Sequence, residues 1–168
     1  NRLGLVIGNE DYDGSRKLNN PISDAILIKE TLENLNFQVT LYTNLSTEAE
    51  MYDAIDAFFQ VRDSLQPKVT FIYYSGHGLQ IDNQNFLIPT KERIDCIEKA
   101  ERHTVKVEEI ILKFREASDS SSNILVLDAC RNNPYPSCRN SRSGGDNAFG
   151  LAKIPQTQGM LIAYSTDP

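Results

Sequence analysis

One histidine and one cysteine stand out in this chain, because each follows a short apolar stretch that gives way to small or polar residues. His77 lies between two glycines after the stretch 71–74, and Cys130 follows the stretch 124–127. A neighbouring imidazole lowers the pKa of a thiol and takes up its proton, and the resulting thiolate attacks carbonyl carbon atoms. Brought together by folding, the two residues would form the minimum set for catalysis by a cysteine nucleophile.

The elements that must position this pair follow from hydrophobic periodicity. Apolar runs predict strands at 2–7, 68–75, 123–129 and 159–165, strict alternation predicts an edge strand at 37–42, and helical spacing predicts helices at 22–35, at 47–64 and over 107–114. A hairpin is expected over 79–89, with its turn at Asp82 and Asn83. This order predicts a three-layer α/β fold, in which a mostly parallel sheet carries helices on both faces. The carboxyl ends of parallel strands lie at one edge of the sheet, so we expect His77 and Cys130 to be neighbours there.

Two further segments shape the expected domain. Thr47 and Glu50 have the spacing of a capping box at the start of the second helix. The polar stretch 132–146, which contains prolines and glycines, predicts a mobile loop. The chain stops at Pro168 just after a strand that a closed domain would cover, so we expect that part of the natural protein is missing here or lies on another chain.

Composition restricts the classes of function. A chain of 168 residues with 40% hydrophobic and 24% charged residues is typical of one globular domain. The net charge of -6 and the lack of any Lys/Arg run argue against nucleic acid as a partner. No apolar run approaches the roughly 20 residues of a membrane span. The low and odd number of cysteines, 3, is typical of a reducing compartment, and we expect a cytoplasmic protein.

The other histidine and cysteines do not share the strand-end setting. Cys96, Cys138 and His103 have no such context and are interpreted as incidental. The spacing of the histidines and cysteines fits no metal site, so none is expected. A single cysteine at a strand end usually only packs, and a single histidine beside glycines can be structural. Their joint occurrence at His77 and Cys130 is what favours catalysis.

Two sequence blocks resemble the catalytic blocks of the caspase-like cysteine peptidases: YYSGHG at 73–78 and DACR at 128–131. The segments 5–9 and 18–25 are also similar to the opening of that superfamily. True caspases carry Gln two residues before the cysteine and Gly two residues after it. Here Asp128 and Asn132 occupy those positions, so the chain resembles the metacaspase and paracaspase branch, including its bacterial paracaspase- or orthocaspase-type members.

The resemblance implies a caspase-like catalytic domain over residues 1–168. This span would contain the large-subunit region and the first strand of the small-subunit region. The remaining C-terminal part would then lie on a small-subunit chain or be missing, and a homodimer would be a candidate assembly. In the implied mechanism Cys130 attacks the scissile carbonyl and His77 transfers the proton. The backbone N–H groups of Gly78 and Cys130 would bind the oxyanion, because a glycine allows close approach.

The resemblance also implies a pocket for a basic side chain. Caspases read Asp at the cleavage position through arginines, whereas this branch uses acidic side chains to read Arg or Lys. By motif match Asp24 and Asp128 would supply the charge, and Ser75 would line the pocket. The alternatives are helix capping for Asp24 and strand-end hydrogen bonding for Asp128. Substrates would be proteins or peptides with Arg or Lys at the cleavage position.

Arginines inside the expected loop are candidates for self-cleavage. Arg139 and Arg142 lie in the stretch 132–146, where a peptidase specific for basic residues could reach them. Metacaspases are often activated by calcium, whereas paracaspases generally are not. The acidic residues Glu10, Asp11 and Asp13 form no recognisable calcium loop and are interpreted as a solvated turn. No cofactor is therefore expected.

Two other functions compete with an endopeptidase. The first is a scaffold or interaction module that keeps the fold but has little or no proteolytic activity; the presence of both His77 and Cys130 argues against it. The second is another cysteine amidohydrolase on an α/β sheet, such as a glutaminase. That class requires a cysteine at a strand-to-helix elbow followed by small residues, which the sequence RNNP at 131–134 does not provide.

Overall fold

The computed structural model describes residues 1–81, 83–92, 94, 97–116, 121–130, 151, 154 and 159–165. The strands are β1 (Arg2–Gly8), β2 (Gln38–Thr43), β3 (Val69–Ile81), β4 (Gln84–Leu87), β5 (Val105–Lys106), β6 (Ser122–Cys130) and β7 (Met160–Tyr164). The helices are α1 (Pro21–Asn34), α2 (Glu48–Leu65), α3 (Ile97–His103) and α4 (Val107–Arg115), and Gly14–Arg16 forms one 3-10 turn.

Five strands form the parallel part of the sheet, in the order β2-β1-β3-β6-β7. β4 pairs antiparallel with the second half of β3, and β5 pairs antiparallel with β4. The predicted mostly parallel sheet is confirmed. β2 stands at one end of this order, as its alternating pattern predicted for an edge strand.

Helices cover both faces of the sheet, because successive strand residues point to opposite sides. One face buries Val6, Ala25, Leu32 and Tyr73, and therefore lies against α1. The other face lies against α2 and α4 and buries Leu5, Ile7, Met51, Ile55, Phe58, Ile72, Ile110 and Phe114. The three-layer prediction is confirmed, and the α1 face is the one that carries the polar strand ends described below.

β3 differs from the sequence prediction. We expected a strand ending near residue 75 and a separate hairpin over 79–89, but β3 runs through 13 residues without a break. Its pairing with β6 extends as far as His77, and its pairing with β4 begins at Gly78. Ile81 pairs with Gln84, so the chain reverses between them at the predicted turn.

Two short elements were not predicted. α3 has 7 residues and β5 has 2, which is too few for a periodic pattern to be visible in the sequence. α3 packs Ala100 into a second buried cluster with Tyr12, Leu79, Phe86 and Ile94. This cluster supports the β3–β4 hairpin. Within the described part of the chain, no helix is long and apolar enough to cross a bilayer.

Candidate active site

The register of β3 against β6 places the predicted pair at adjacent positions. His77 is the Cα partner of Cys130, and Ser75 is the partner of Asp128. Neighbouring strands lie about 4.8 Å apart. His77 and Cys130 are 53 positions apart in the chain, and they become neighbours in space because the two strands pair in parallel.

The His77 imidazole is buried, with 6% of the residue exposed. Its Nε2 lies 2.7 Å from the carbonyl oxygen of Arg16. A carbonyl oxygen can only accept, so Nε2 carries the proton and Nδ1 carries the lone pair. Nδ1 is buried and has no hydrogen-bond partner among the residues that the structure describes. Nδ1, the nitrogen that can accept a proton, is therefore not engaged by any residue that the structure describes.

Burial lowers the pKa of His77 from its ordinary value of 6.5, because the charged ring would lose its hydration. The hydrogen bond to the Arg16 carbonyl acts in the opposite direction, and the charge of Arg16 adds to the lowering. The imidazole is consequently neutral near pH 7, which is the form that can accept a proton.

Two tyrosines hold the backbone at His77. The His77 N–H donates to Tyr12 Oη at 2.9 Å, and Tyr74 Oη donates to the His77 carbonyl at 2.7 Å. Tyr12 Oη in turn donates to the Ile88 carbonyl at 2.9 Å, and the Tyr12 ring lies 4.3 Å from the imidazole between ring centres. Sequence reasoning missed Tyr12, because nothing in its local sequence indicates that it packs on a histidine.

The segment that carries the Arg16 carbonyl is fixed by polar contacts. Asn44 Oδ1 accepts from the N–H groups of Glu10 and Asp11, each at 3.0 Å. Lys91 Nζ donates to the Asp11 carbonyl at 2.7 Å and pairs with the carboxylates of Asp11 and Asp13. The acidic residues predicted to form a solvated turn thus hold this loop to the segment after β4.

Glu10 has a separate role at the start of α1. Its Oε2 accepts from the Ile22 N–H at 3.1 Å and satisfies one of the free amides of the first helical turn. The capping alternative for Asp24 remains a prediction: Asp24 is the acidic residue of this first turn, while the carboxylate seen to bond one of its amides belongs to Glu10. Asp24 remains half-buried in the same turn and faces the pocket described next.

A pocket of about 160 Å³ opens at the carboxyl edge of the sheet, on the α1 face. Asp24, Ser75 and Asp128 line it together with Gly76 and the segment 18–21. The three residues predicted to bind a basic side chain thus lie around one cavity. None of its described lining residues is basic, so the two carboxylates set its charge.

The Asp128 carboxylate is hydrogen-bonded through both oxygens. Tyr73 Oη donates to Oδ2 at 2.9 Å, and Ser165 Oγ donates to Oδ1. The alternative of strand-end hydrogen bonding therefore describes Asp128 correctly, and the residue lines the pocket as well. Neither Tyr73 nor Ser165 was assigned a role from the sequence, because hydroxyl-bearing residues are common in strands.

Close packing surrounds the predicted oxyanion glycine. A Cβ on Gly78 would lie 3.0 Å from the Ala129 Cβ and 3.1 Å from a methyl group of Leu151. Contacts this short are tighter than side chains normally make, so β3 and β6 can approach here only with glycine at this position.

The remaining predicted residues lie elsewhere. Arg139, Arg142, Cys96 and Cys138 fall outside the described residues. His103 Nδ1 lies 3.1 Å from Glu92 Oε2, and the His103 side chain is 43% exposed. Among the described residues, no three His, Cys, Asp or Glu side chains are grouped as metal ligands would be.

Comparison with known proteins gives one family. The sequence model described as the caspase domain matches residues 1–168. The human mucosa-associated lymphoid tissue lymphoma translocation protein 1 and its mouse homologue are each 29% identical over 130 residues, which is 77% of this chain. The chain spans only 15% of the length of these curated relatives.

Solved structures share the fold. The Drosophila initiator caspase Dronc superposes with a TM-score of 0.67 at 13% identity and covers 99% of this chain and 56% of its own. A protein from Geobacter sulfurreducens gives 0.59 at 18% identity, over 77% of this chain and 50% of its own. At these identities the likeness concerns the fold alone. Because the caspase-domain model matches all 168 residues, the chain belongs to the caspase-domain family.

Proposed function

We propose that this caspase domain is a cysteine endopeptidase that cleaves peptide bonds after Arg or Lys. The observation that carries the proposal is the pocket that Asp24 and Asp128 line. It lies at the sheet edge where His77 is paired with Cys130. A cavity whose described charges are both negative favours a cationic side chain beside the reacting bond.

The reaction proceeds in two steps. The His77 Nδ1 takes the proton of the Cys130 thiol, and the thiolate adds to the scissile carbonyl carbon. Backbone N–H groups of Gly78 and Cys130 stabilise the oxyanion. The intermediate collapses, the C–N bond breaks, and the imidazolium gives its proton to the leaving amine. Water then attacks the thioester with the help of His77, which releases the carboxylic acid and restores the thiol.

The pocket selects the residue before the scissile bond. A guanidinium presents a planar fork that carboxylates can bind through two parallel hydrogen bonds, and an ammonium makes point contacts with the same oxygens. An Asp at the cleavage position would meet two like charges and be repelled. Self-cleavage at Arg139 or Arg142, assembly with a second chain, and the absence of a cofactor remain predictions that accompany this proposal.

The test is a cleavage profile of the full-length protein with matched peptide reporters, measured with and without calcium. We expect kcat/KM with Arg or Lys to exceed that with Asp by about 30-fold or more, since losing a charge-paired contact costs about 2–5 kcal/mol. Citrulline, the neutral isostere of arginine, is the matched control, and it should be cleaved far more slowly than arginine. Cys130→Ala should abolish all turnover. Faster cleavage after Asp than after Arg would overturn the proposal.

A further inference from the structure

The Asp128 carboxylate accepts hydrogen bonds from two hydroxyl groups, and neither belongs to a residue that the sequence predicted to be catalytic or to bind the substrate. We infer that the Tyr73 hydroxyl, together with that of Ser165, positions the Asp128 carboxylate to bind the basic side chain of the substrate. Tyr73 is thus a positioning residue for specificity rather than a residue that touches the substrate. The inference rests on the proposed function, since it concerns the same pocket.

The register of β3 against β6 brings the Tyr73 hydroxyl within reach of the Asp128 carboxylate. Tyr73 is the partner of Val126, two positions before Asp128, so its side chain leans along the strand towards the sheet edge. Its Oη reaches across to Asp128 Oδ2 at 2.9 Å. Ser165 follows β7 on the other side of β6 and donates to Oδ1. The carboxylate is held from both neighbouring strands, with one donor on each oxygen, and this fixes both its position and its plane.

The Tyr73 ring is itself fixed. It is 4% exposed and packs in the cluster on the α1 face with Val6, Ala25 and Leu32. Burial, together with the charge of Asp128, raises the pKa of the phenol well above its usual value, so the hydroxyl stays protonated and remains a donor. A hydroxyl on a rigid, buried ring constrains its acceptor more than one on a flexible surface chain would.

The remaining acceptor capacity of Asp128 suits a cation. An ionised carboxylate has about four acceptor sites, two on each oxygen. Of these, the described donors Tyr73 and Ser165 use one on each oxygen. One site per oxygen then remains for a guanidinium fork or an ammonium. Because Asp128 lines the pocket, this capacity lies where the side chain of the substrate would enter.

Loss of the Tyr73 hydroxyl should therefore weaken binding without slowing chemistry. The side chain before the scissile bond contacts Asp128 both in the bound substrate and in the transition state, so the interaction is uniform. Removing uniform binding raises KM and leaves kcat unchanged. Loss of one hydrogen bond to a charged group corresponds to about tenfold.

The experiment compares Tyr73→Phe with Tyr52→Phe in the full-length protein. Tyr52 is the matched control, because its Oη also donates to a carboxylate, that of Glu109 at 2.5 Å, but on the opposite face of the sheet. We expect Tyr73→Phe to raise KM for an Arg reporter about tenfold, with kcat within about twofold of wild type. Tyr52→Phe should leave KM unchanged. Ser165→Ala should shift KM in the same direction as Tyr73→Phe.

Two readouts separate positioning from a general structural effect. Alkylation of Cys130 by iodoacetamide should proceed at the wild-type rate in Tyr73→Phe, and the preference for arginine over citrulline should fall. An unchanged KM in Tyr73→Phe, or equal losses in its kcat and alkylation rate, would overturn the inference. The proposed function would still stand in that case if the wild-type protein prefers Arg and Lys. If wild type shows no such preference, the proposed function fails and the inference fails with it.

Discussion

The His77 imidazole is oriented by contacts at both ends of the residue. Its Nε2 is held by the Arg16 carbonyl, while its backbone is held by the hydroxyls of Tyr12 and Tyr74. The Tyr12 ring also packs against the imidazole. In the proposed mechanism the base must be held within a few tenths of an ångström of its productive position, so we expect these contacts to affect the rate as well as stability.

Tyr12→Phe tests this orientation. The ring contact is retained, but the His77 N–H loses its acceptor and the buried amide is left unpaired. We expect kcat to fall about tenfold with KM unchanged, because the interaction affects the base and not the pocket. Steady-state kinetics on an Arg reporter measure both constants, with Tyr52→Phe as the control. An unaltered kcat would show that the hydroxyl has no part in positioning the base.

The sequence revealed some of these residues and concealed others. His77 and Cys130 could be singled out because the chain has 2 histidines and 3 cysteines, and both lie at predicted strand ends. Tyr12 and Tyr73 could not, because there are 7 tyrosines and only packing distinguishes one that holds a functional group. The contacts of Tyr12 with His77 and of Tyr73 with Asp128 span 65 and 55 positions along the chain, which a local pattern does not encode.

At the scale of elements, one buried arginine joins α2 to α4. Arg62 is 5% exposed and donates through Nη1 to the Lys113 carbonyl at 2.8 Å. Its guanidinium lies 4.5 Å from the centre of the Phe59 ring, and it pairs with the exposed Asp63. The aliphatic part of the side chain fills space in the same layer. Arg62 lies within the helix predicted at 47–64, but its bond to α4 depends on tertiary packing, which that prediction does not contain.

Arg62→Ala should lower the free energy of unfolding by about 2–4 kcal/mol, because it leaves a cavity and an unpaired Lys113 carbonyl in the α2–α4 layer. Lys29→Ala is the comparison, since the Lys29–Glu33 pair lies on the surface of α1 and should contribute less than about 0.5 kcal/mol. Urea denaturation of both variants measures the difference. Equal losses would show that burial of Arg62 does not determine its contribution.

The start of α2 shows how far local sequence can be trusted. Thr47 Oγ1 accepts from the Glu50 N–H at 3.2 Å, which is half of the predicted capping box. Glu50, however, accepts from the N–H and the hydroxyl of Ser46, one residue earlier, each at 2.7 Å. The prediction of a cap was correct. The Glu50 carboxylate interacts with the Thr47 backbone as a capping box requires, and Ser46, which precedes the threonine, adds two further donors.

At the scale of the whole molecule, the layer order followed from the alternation of strand and helix patterns. The central strands β1 and β3 are buried on both faces and therefore appear in the sequence as continuous apolar runs. The full length of β3 could not be predicted, because the glycines at 76 and 78 normally indicate the end of a strand. Here β3 continues through both glycines because its pairing with β6 passes directly into its pairing with β4.

The stability of the whole domain should depend on pH through His77. Because burial lowers its pKa below 6.5, the unfolded chain binds a proton that the folded chain does not, in the interval between the two values. The free energy of unfolding should therefore fall as the pH drops below about 6.5, with a slope of at most about 1.36 kcal/mol per pH unit from this group. Above pH 7 the group contributes no slope.

Urea denaturation between pH 5 and 8 measures this dependence in wild type and in His77→Gln. Carboxylates titrate in both proteins, so the difference between the two curves isolates the histidine. We expect the variant to lose less stability on acidification. Curves that stay parallel from pH 7 down to pH 5 would contradict the lowered pKa of His77.

The change of partner along β3, from β6 to β4, has a consequence for when the site forms during folding. His77 is the last β3 residue paired with β6, and Gly78 is the first paired with β4. The pairing of β3 with β6 brings together His77 and Cys130, which are more than fifty residues apart in the chain, and contacts of such separation form slowly in folding. A nascent or partly collapsed chain thus lacks the pairing of His77 with Cys130, so the activity proposed above would arise only after β3 and β6 have paired.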